Sequence, residues 1–255
     1  MDSIPIIAFR FYGRYGHFRK PYSNVSSLTY PFPPRTAIAG LLGAILGVPK
    51  IKVAETFAEG EMKVAVAIDD KIKTMTHVTN FRQDGFGNID YSIKVPKKDW
   101  TPKALENVRP WNEATQIPME LLRNPSYLLY VNLTNKMDEL ITRLKNKRYV
   151  YTPCLGLSEF LARVEYIPSE GVAKRLSPGN HEICTVVCKG DCSLLLDRLR
   201  PEEEHNIQEL RVPYLGTADR TFTYKRYLLN LVPKSLPVRM KVAPYQLADK
   251  IITFL

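Results

Sequence analysis

Few side chains in this 255-residue sequence are suited to catalysis. The histidines are His17, His77, His181 and His205, and none has a carboxylate at a spacing that suggests a triad or a metal cluster. The cysteines are Cys154, Cys184, Cys188 and Cys192. The last three recur every four residues in "CTVVCKGDC", which matches no standard zinc or iron–sulfur spacing. The plainer reading is a strand carrying small apolar side chains. "GLSEF", from Gly156, lacks the flanks of a serine-nucleophile elbow, and neither a P-loop nor GxGxxG is present. No cofactor or metal set is identified. His17, beside Tyr15 and Arg19, has the chemistry of an acid or base acting on RNA; RNA contact without chemistry is the competing reading and the one adopted.

Charge is more informative. The formal net charge is +10, which favours a polyanionic partner over a neutral small substrate. From Ser3 to Ala54 there are seven basic residues and no acidic one, and eight of the residues in 9–32 are aromatic. Cations hold phosphates, and aromatic rings stack on unpaired bases. Phe9, Phe11, Phe18 and Phe32 are assigned to the core. Arg14, His17, Arg19, Lys20 and Arg35 are assigned to phosphate contact, with Arg10, Tyr12 and Tyr15 as further RNA-facing candidates. Arg35 sits at a helix start, where free N–H groups favour an anion. A second acid-free stretch, Arg220 to Ala248, reads equally well as a solvated strand face and is assigned no site. "MDSIPII" meets an arginine at position 10 and is no cleavable signal, so the expectation is a reduced, cytoplasmic protein. The apolar run from Thr36 to Val48 is too short to span a bilayer, which takes roughly 20 residues, so no membrane is expected.

These residues need elements to position them. "IPIIAFRFY" (4–12) alternates as a strand, with Ile7, Phe9 and Phe11 on its buried face. Pro33 and Pro34 suit the first turn of an apolar helix that Pro49 stops. Glycines at 40, 43 and 47 suggest that something, a sheet for preference, approaches this helix closely. Strands follow at 62–69 and 126–134, an amphipathic helix at 135–147, and a strand at 159–167. The order β-α-β-β-α-β predicts an α+β fold with a ferredoxin-like, RRM-type core. Residues 76–118 interrupt it, far too long for a hairpin loop, and read as a projecting hairpin arm. Candidate contacts there are His77, Asn80, Arg82, Lys94, Lys97, Lys98 and Trp100. The division expected is 1–167 for the core with its arm, and 168–255 for a smaller, mostly β C-terminal domain. Within the latter, "EICTVVCKG" and "RTFTYKRYLLNLV" read as strands and "PEEEHNIQE" as an acidic surface segment.

Three stretches carry a resemblance. "GRYGHFRKPYSNVSSLTYPFPPRTAIAGLLGAILG" (13–47), "QIPMELLRNPSYLLYV" (116–131) and "YTPCLGLSEFLARVEYI" (151–167) resemble the fifth family of CRISPR-associated (Cas) proteins, in the form found in type I-B systems. The resemblance implies an RRM-like core with a β-hairpin "thumb" between strands two and three. It also implies a subunit of the Cascade surveillance complex that caps one end and holds the 5′ handle of the guide RNA (crRNA). The implied neighbours are the Cas-seven backbone subunit and the Cas-eight large subunit, with target DNA met through the assembled complex. The "CLGLS" turn would lie near the handle, which adds Cys154, Leu155, Gly156 and Ser158 to the RNA-binding set. One branch, in type I-C systems, cleaves repeat RNA with a tyrosine and an adjacent lysine and histidine. No Lys-His pair occurs here, so the expectation is a non-catalytic subunit, with a metal-independent endoribonuclease as the alternative. A free-standing RNA binder is a third reading.

Overall fold

The computed structural model describes residues 3–22, 26–82, 114–217, 219 and 221–255, without the side chains of 80–82, 114, 115, 169 and 170. The first half runs β1 (Ser3–Tyr12), β2 (Tyr15–Gly16), α1 (Arg35–Leu46), α2 (Val53–Thr56) and β3 (Met62–Ile68). It continues through β4 (Thr74–Arg82), β5 (Ala114–Arg123), β6 (Ser126–Leu133), α3 (Met137–Asn146) and β7 (Arg163–Arg175). The rest is strand-rich: β8 (Gly179–Ile183), β9 (Val187–Cys188), β10 (Cys192–Leu194), β11 (Ile207–Gly216), β12 (Phe222–Asn230), β13 (Leu236–Met240), β14 (Tyr245–Leu247) and β15 (Lys250–Ile252). The fold is thus α+β, rich in strand and poor in helix.

One nine-stranded sheet, ordered β10-β13-β8-β15-β14-β7-β1-β6-β3, organises the molecule. At one end, β7, β1, β6 and β3 pair antiparallel throughout, Phe9 lying opposite Leu129 on one side and Tyr166 on the other. Ile7, Phe9 and Phe11 join α1, α3 and the fully buried Tyr30 and Phe32 in the main core. Ile6 and Ala8, on the other face of β1, are buried too, in a second cluster with Tyr130 and Leu247. Only from Arg10 onward does that face become polar. β4 and β5 form a separate antiparallel pair from Thr74↔Leu122 to Arg82↔Ala114, with β2 added at its edge. These are the base strands of the expected arm; Lys94, Lys97, Lys98 and Trp100 lie outside the described residues.

Three expectations are corrected. The break at 167/168 falls inside β7, and the sheet continues through it into β14, β15 and β8. "EICTVVCKG" is not one strand but the end of β8, then β9, in different sheets. The glycines of α1 have three separate reasons. Gly47 ends the helix at φ 76°, and a Cβ on Gly43 would lie 3.0 Å from Val53 and 3.8 Å from Phe57, while Gly40 has open space around it. Side chains from α2 and its end, not a sheet, make the close approach. No helix among the described residues is long and apolar enough to cross a membrane.

Arg35 is the correction with most consequence for function. It opens α1 as expected but is buried, at 3% exposure. Its guanidinium donates to the carbonyls of Ala58 (2.9 Å) and Met62 (3.0 Å) and lies 5.3 Å from the centre of the Tyr214 ring. Burial lowers its pKa below the ordinary guanidinium value. It ties α1 to β3 and β11, its guanidinium turned to the chain's own carbonyls. Arg35→Ala leaves two carbonyls unpaired and should cost about 2–4 kcal/mol, read as a lower urea midpoint, with RNA affinity per folded molecule unchanged.

Candidate nucleic-acid interface

Three segments distant in sequence enclose a cavity of about 650 Å³. The first is the loop after β1. Tyr15 and Gly16 pair with Arg123 and Leu122 of β5, and Arg19 bridges Thr29 across the loop. The second is the base of the β4–β5 hairpin. Met75, His77 and Thr79 lie directly opposite Leu121, Met119 and Ile117, so all six share one face, and that face is a wall of the cavity. The third is the turn after α3, which supplies Leu157, Glu159 and Phe160. The lining is largely apolar, its polar groups coming from His17, Arg19, Ser26, Ser27, His77, Thr79 and Glu159.

Loop and turn are locked by backbone. The His17 N–H donates to the Leu155 carbonyl (2.9 Å), and the Leu155 N–H donates to Phe160 (2.8 Å). Leu155 itself is fully buried, so it is a core residue rather than a contact. Gly156 has φ 94°, and a Cβ there would sit 1.8 Å from the His17 carbonyl oxygen. Only glycine fits. Gly156→Ala should therefore cost about 2–4 kcal/mol and lower the melting temperature of the whole chain.

His17 is buried at 1% exposure and forms part of the cavity wall. Its Nδ1 lies 2.8 Å from the Glu120 carbonyl, which only accepts, so this nitrogen carries the proton. Its Nε2 lies 3.0 Å from Ser27 Oγ, so in the neutral ring the serine hydroxyl donates to it. Both ring nitrogens are engaged. Burial, helped by the nearby Arg19 charge, lowers the His17 pKa from its ordinary 6.5, the bond to Glu120 only partly opposing this. The neutral ring is thus preferred in the fold, and the unfolded chain takes up a proton first. Stability is complete above 6.5 and is lost as pH falls below it toward the lowered folded value, by at most about 1.4 kcal/mol per pH unit. Melting temperature should fall on acidification below 6.5, and less steeply in His17→Gln.

The other candidates divide. Arg19 is exposed and on the cavity wall; Arg14 is exposed with its guanidinium 5.5 Å from the centre of the Tyr15 ring. Tyr15 meets Phe160 edge to face at 6.5 Å. The Lys20 ammonium lies 5.7 Å from the centre of the Tyr30 ring. His77 is exposed and part of the cavity wall, while Asn80 and Arg82 continue the same strand. Cys154 and Ser158 belong to the turn but do not line the cavity: the thiol faces the carbonyls of Thr152 (3.4 Å) and Ser158 (3.7 Å), and the hydroxyl donates to Glu159 (3.2 Å). Tyr12 is half-buried at the end of β1 and is not in the lining.

Arg10 is ion-paired within the chain: it meets Asp69 at 2.8 Å and Glu165 at 3.1 Å, chiefly the former raising its pKa above the ordinary guanidinium value, and it does not line the cavity. Residues missed from the sequence are the apolar wall of the hairpin base, together with Leu157, Phe160 and Ser27. The alternation at 75, 77, 79 and at 117, 119, 121 was the available signal.

The model of the family described as CRISPR-associated protein (Cas_Cas5) matches residues 6–177, a span that holds every segment of the cavity wall. The chain belongs to this family of CRISPR-associated proteins. Among solved structures, a chain of a "CRISPR RNA-guided surveillance complex" is 14% identical over 91% of each chain, with a TM-score of 0.48. A CRISPR protein from Archaeoglobus fulgidus is 12% identical over 97% of this chain and 96% of its own, also with a TM-score of 0.48. No curated protein matches.

Proposed function

We propose that this protein is a non-catalytic subunit of a type I CRISPR surveillance complex, working in the cytoplasm and seating the 5′ handle of the crRNA at the cavity. The observation that carries the reading is convergence. The basic, aromatic loop, the hairpin base and the turn at 154–160, far apart in sequence, wall one cavity within the region that defines the family. Arg14, Arg19 and Lys20 supply phosphate contacts around the loop, and Tyr15 and Phe160 supply rings for stacking. The spatial strand order fourth, first, third, second, antiparallel throughout, supports an RRM-type core, with β4 and β5 as the root of a thumb. The neighbours in this reading are the Cas-seven and Cas-eight subunits, with target DNA reached through the assembly.

The absence of chemistry is part of the proposal. His17 has one nitrogen donating to Glu120 and the other taken by Ser27, so a role as base requires Ser27 to leave. The purified chain, incubated with cognate repeat RNA without divalent metal, should retain it uncut. Arg19→Ala with Lys20→Ala should weaken retention and reduce the salt slope by about 1.4, the share of two single-strand phosphate contacts. A defined cut, abolished by His17→Gln, would replace this reading with that of a processing nuclease.

A further inference from the structure

A second surface has the chemistry to hold nucleic acid. β11 and β12 pair with Leu210 opposite Tyr227 and Val212 opposite Lys225; Leu210, Val212, Tyr227 and Leu229 turn one face of the hairpin into the main core. The other face carries Glu209, Arg211, Tyr224 and Arg226. There Arg211 and Arg226 are directly opposed across the ladder, and both are exposed. Like charges in that position oppose strand pairing. Among the described residues Arg211 has no carboxylate partner; its guanidinium lies 4.6 Å from the centre of the Tyr224 ring. Arg226 reaches Glu209 only at 3.5 Å, and Glu209 is shared with Lys189 at 3.8 Å. Three cations therefore face one carboxylate, around a half-buried ring.

The position of this face matters as much as its charge. The Lys20 ammonium lies 5.7 Å from the centre of the Tyr30 ring, and next to Tyr30 in the same core Phe32 meets Tyr227 of β12 edge to face at 6.2 Å. The loop that borders the cavity and the β11–β12 hairpin therefore adjoin, with Phe32 and Tyr227 as the joint between them.

We infer that the outer face of the β11–β12 hairpin is a nucleic-acid contact, binding the phosphodiester backbone of a single strand through Arg211 and Arg226 with Tyr224 as a stacking platform. Recognition is by charge and ring face, so the surface is indifferent to base sequence. The surface lies beyond the region that defines the family, and it rests on the handle reading only for the course of the strand, which runs on from the loop.

The test uses the full chain, with Arg211→Gln and Arg226→Gln combined, beside the Arg19→Ala, Lys20→Ala variant. Each is titrated against salt with repeat RNA and with single-stranded DNA of the same sequence. Loss of two contacts predicts a slope reduced by about 1.4 and affinity about 25-fold lower at 0.1 M salt. Removing opposed like charges should leave the melting temperature unchanged or raised, and Arg211→Lys with Arg226→Lys should largely restore binding. A loss confined to RNA assigns the face to the guide strand, and one confined to DNA assigns it to a second strand; both support the contact. Affinity and slope equal to wild type on both nucleic acids overturn it. If the hairpin variant binds normally while the loop variant fails, the handle reading survives and this inference falls; the reverse result sinks the handle reading alone.

Discussion

The cavity depends on a contact between two backbones. The turn after α3 lies directly on the loop after β1, close enough that a methyl group at residue 156 would overlap the His17 carbonyl. The other side of the seam is equally close: a Cβ on Gly13 would stand 2.7 Å from Leu155 and 2.9 Å from the Leu161 carbonyl. Two glycines facing across a seam let main chain meet main chain, and the hydrogen bond from His17 to Leu155 then fixes the register. Everything at the site follows from that registration. It buries His17, brings Tyr15 against Phe160, and sets Leu157 and Phe160 opposite the hairpin wall.

Charge obeys a second constraint, which sequence distance conceals. The first fifty residues hold no acid after Asp2, yet several of their polar groups meet acidic residues from elsewhere in the chain. Arg10 meets Asp69 and Glu165, and the Thr29 N–H meets the Glu120 carboxylate at 3.0 Å. The folded chain thus sorts its cations. Arg10 and Arg35 tie elements together, whereas Arg14 and Arg19 stay at the surface.

This sorting explains what was legible in the sequence. Period-two alternation placed β1, β3 and β6 to within a residue or so, and helical spacing placed α1 and α3, because each packs one continuous apolar face against the same core. The base of the hairpin was legible from an impossible loop length. The cavity wall was not, because Met75, Ile117, Met119 and Leu121 alternate like ordinary core residues and nothing local says that their face stays open. Arg35 failed for the opposite reason: helix-start chemistry is a local signal, but Ala58, Met62 and Tyr214 are tertiary neighbours. At 167/168 the composition changes but the backbone does not, because β7 runs through that point.

Five of the C-terminal strands, β8, β10, β13, β14 and β15, belong to the large sheet rather than hang from it. β3 closes one end of the strand order, and its outer edge would be open but for two late segments. The Val186 N–H donates to Val66 at 2.8 Å and the Leu255 N–H to Val64 at 2.9 Å, so the last residue of the chain covers an edge formed near residue 65. An uncovered edge of that apolar strand would invite pairing with another chain. β11 is tied to α1 through its own Tyr214, whose ring centre lies 5.3 Å from the Arg35 guanidinium and 3.4 Å from the Lys225 ammonium. The β11–β12 face is therefore fixed relative to α1 and, through the shared core, to the loop that walls the cavity. In the proposed reading a strand crossing from one to the other would meet two surfaces joined by the same core, so the second contact would add to the first at little further cost in orientation.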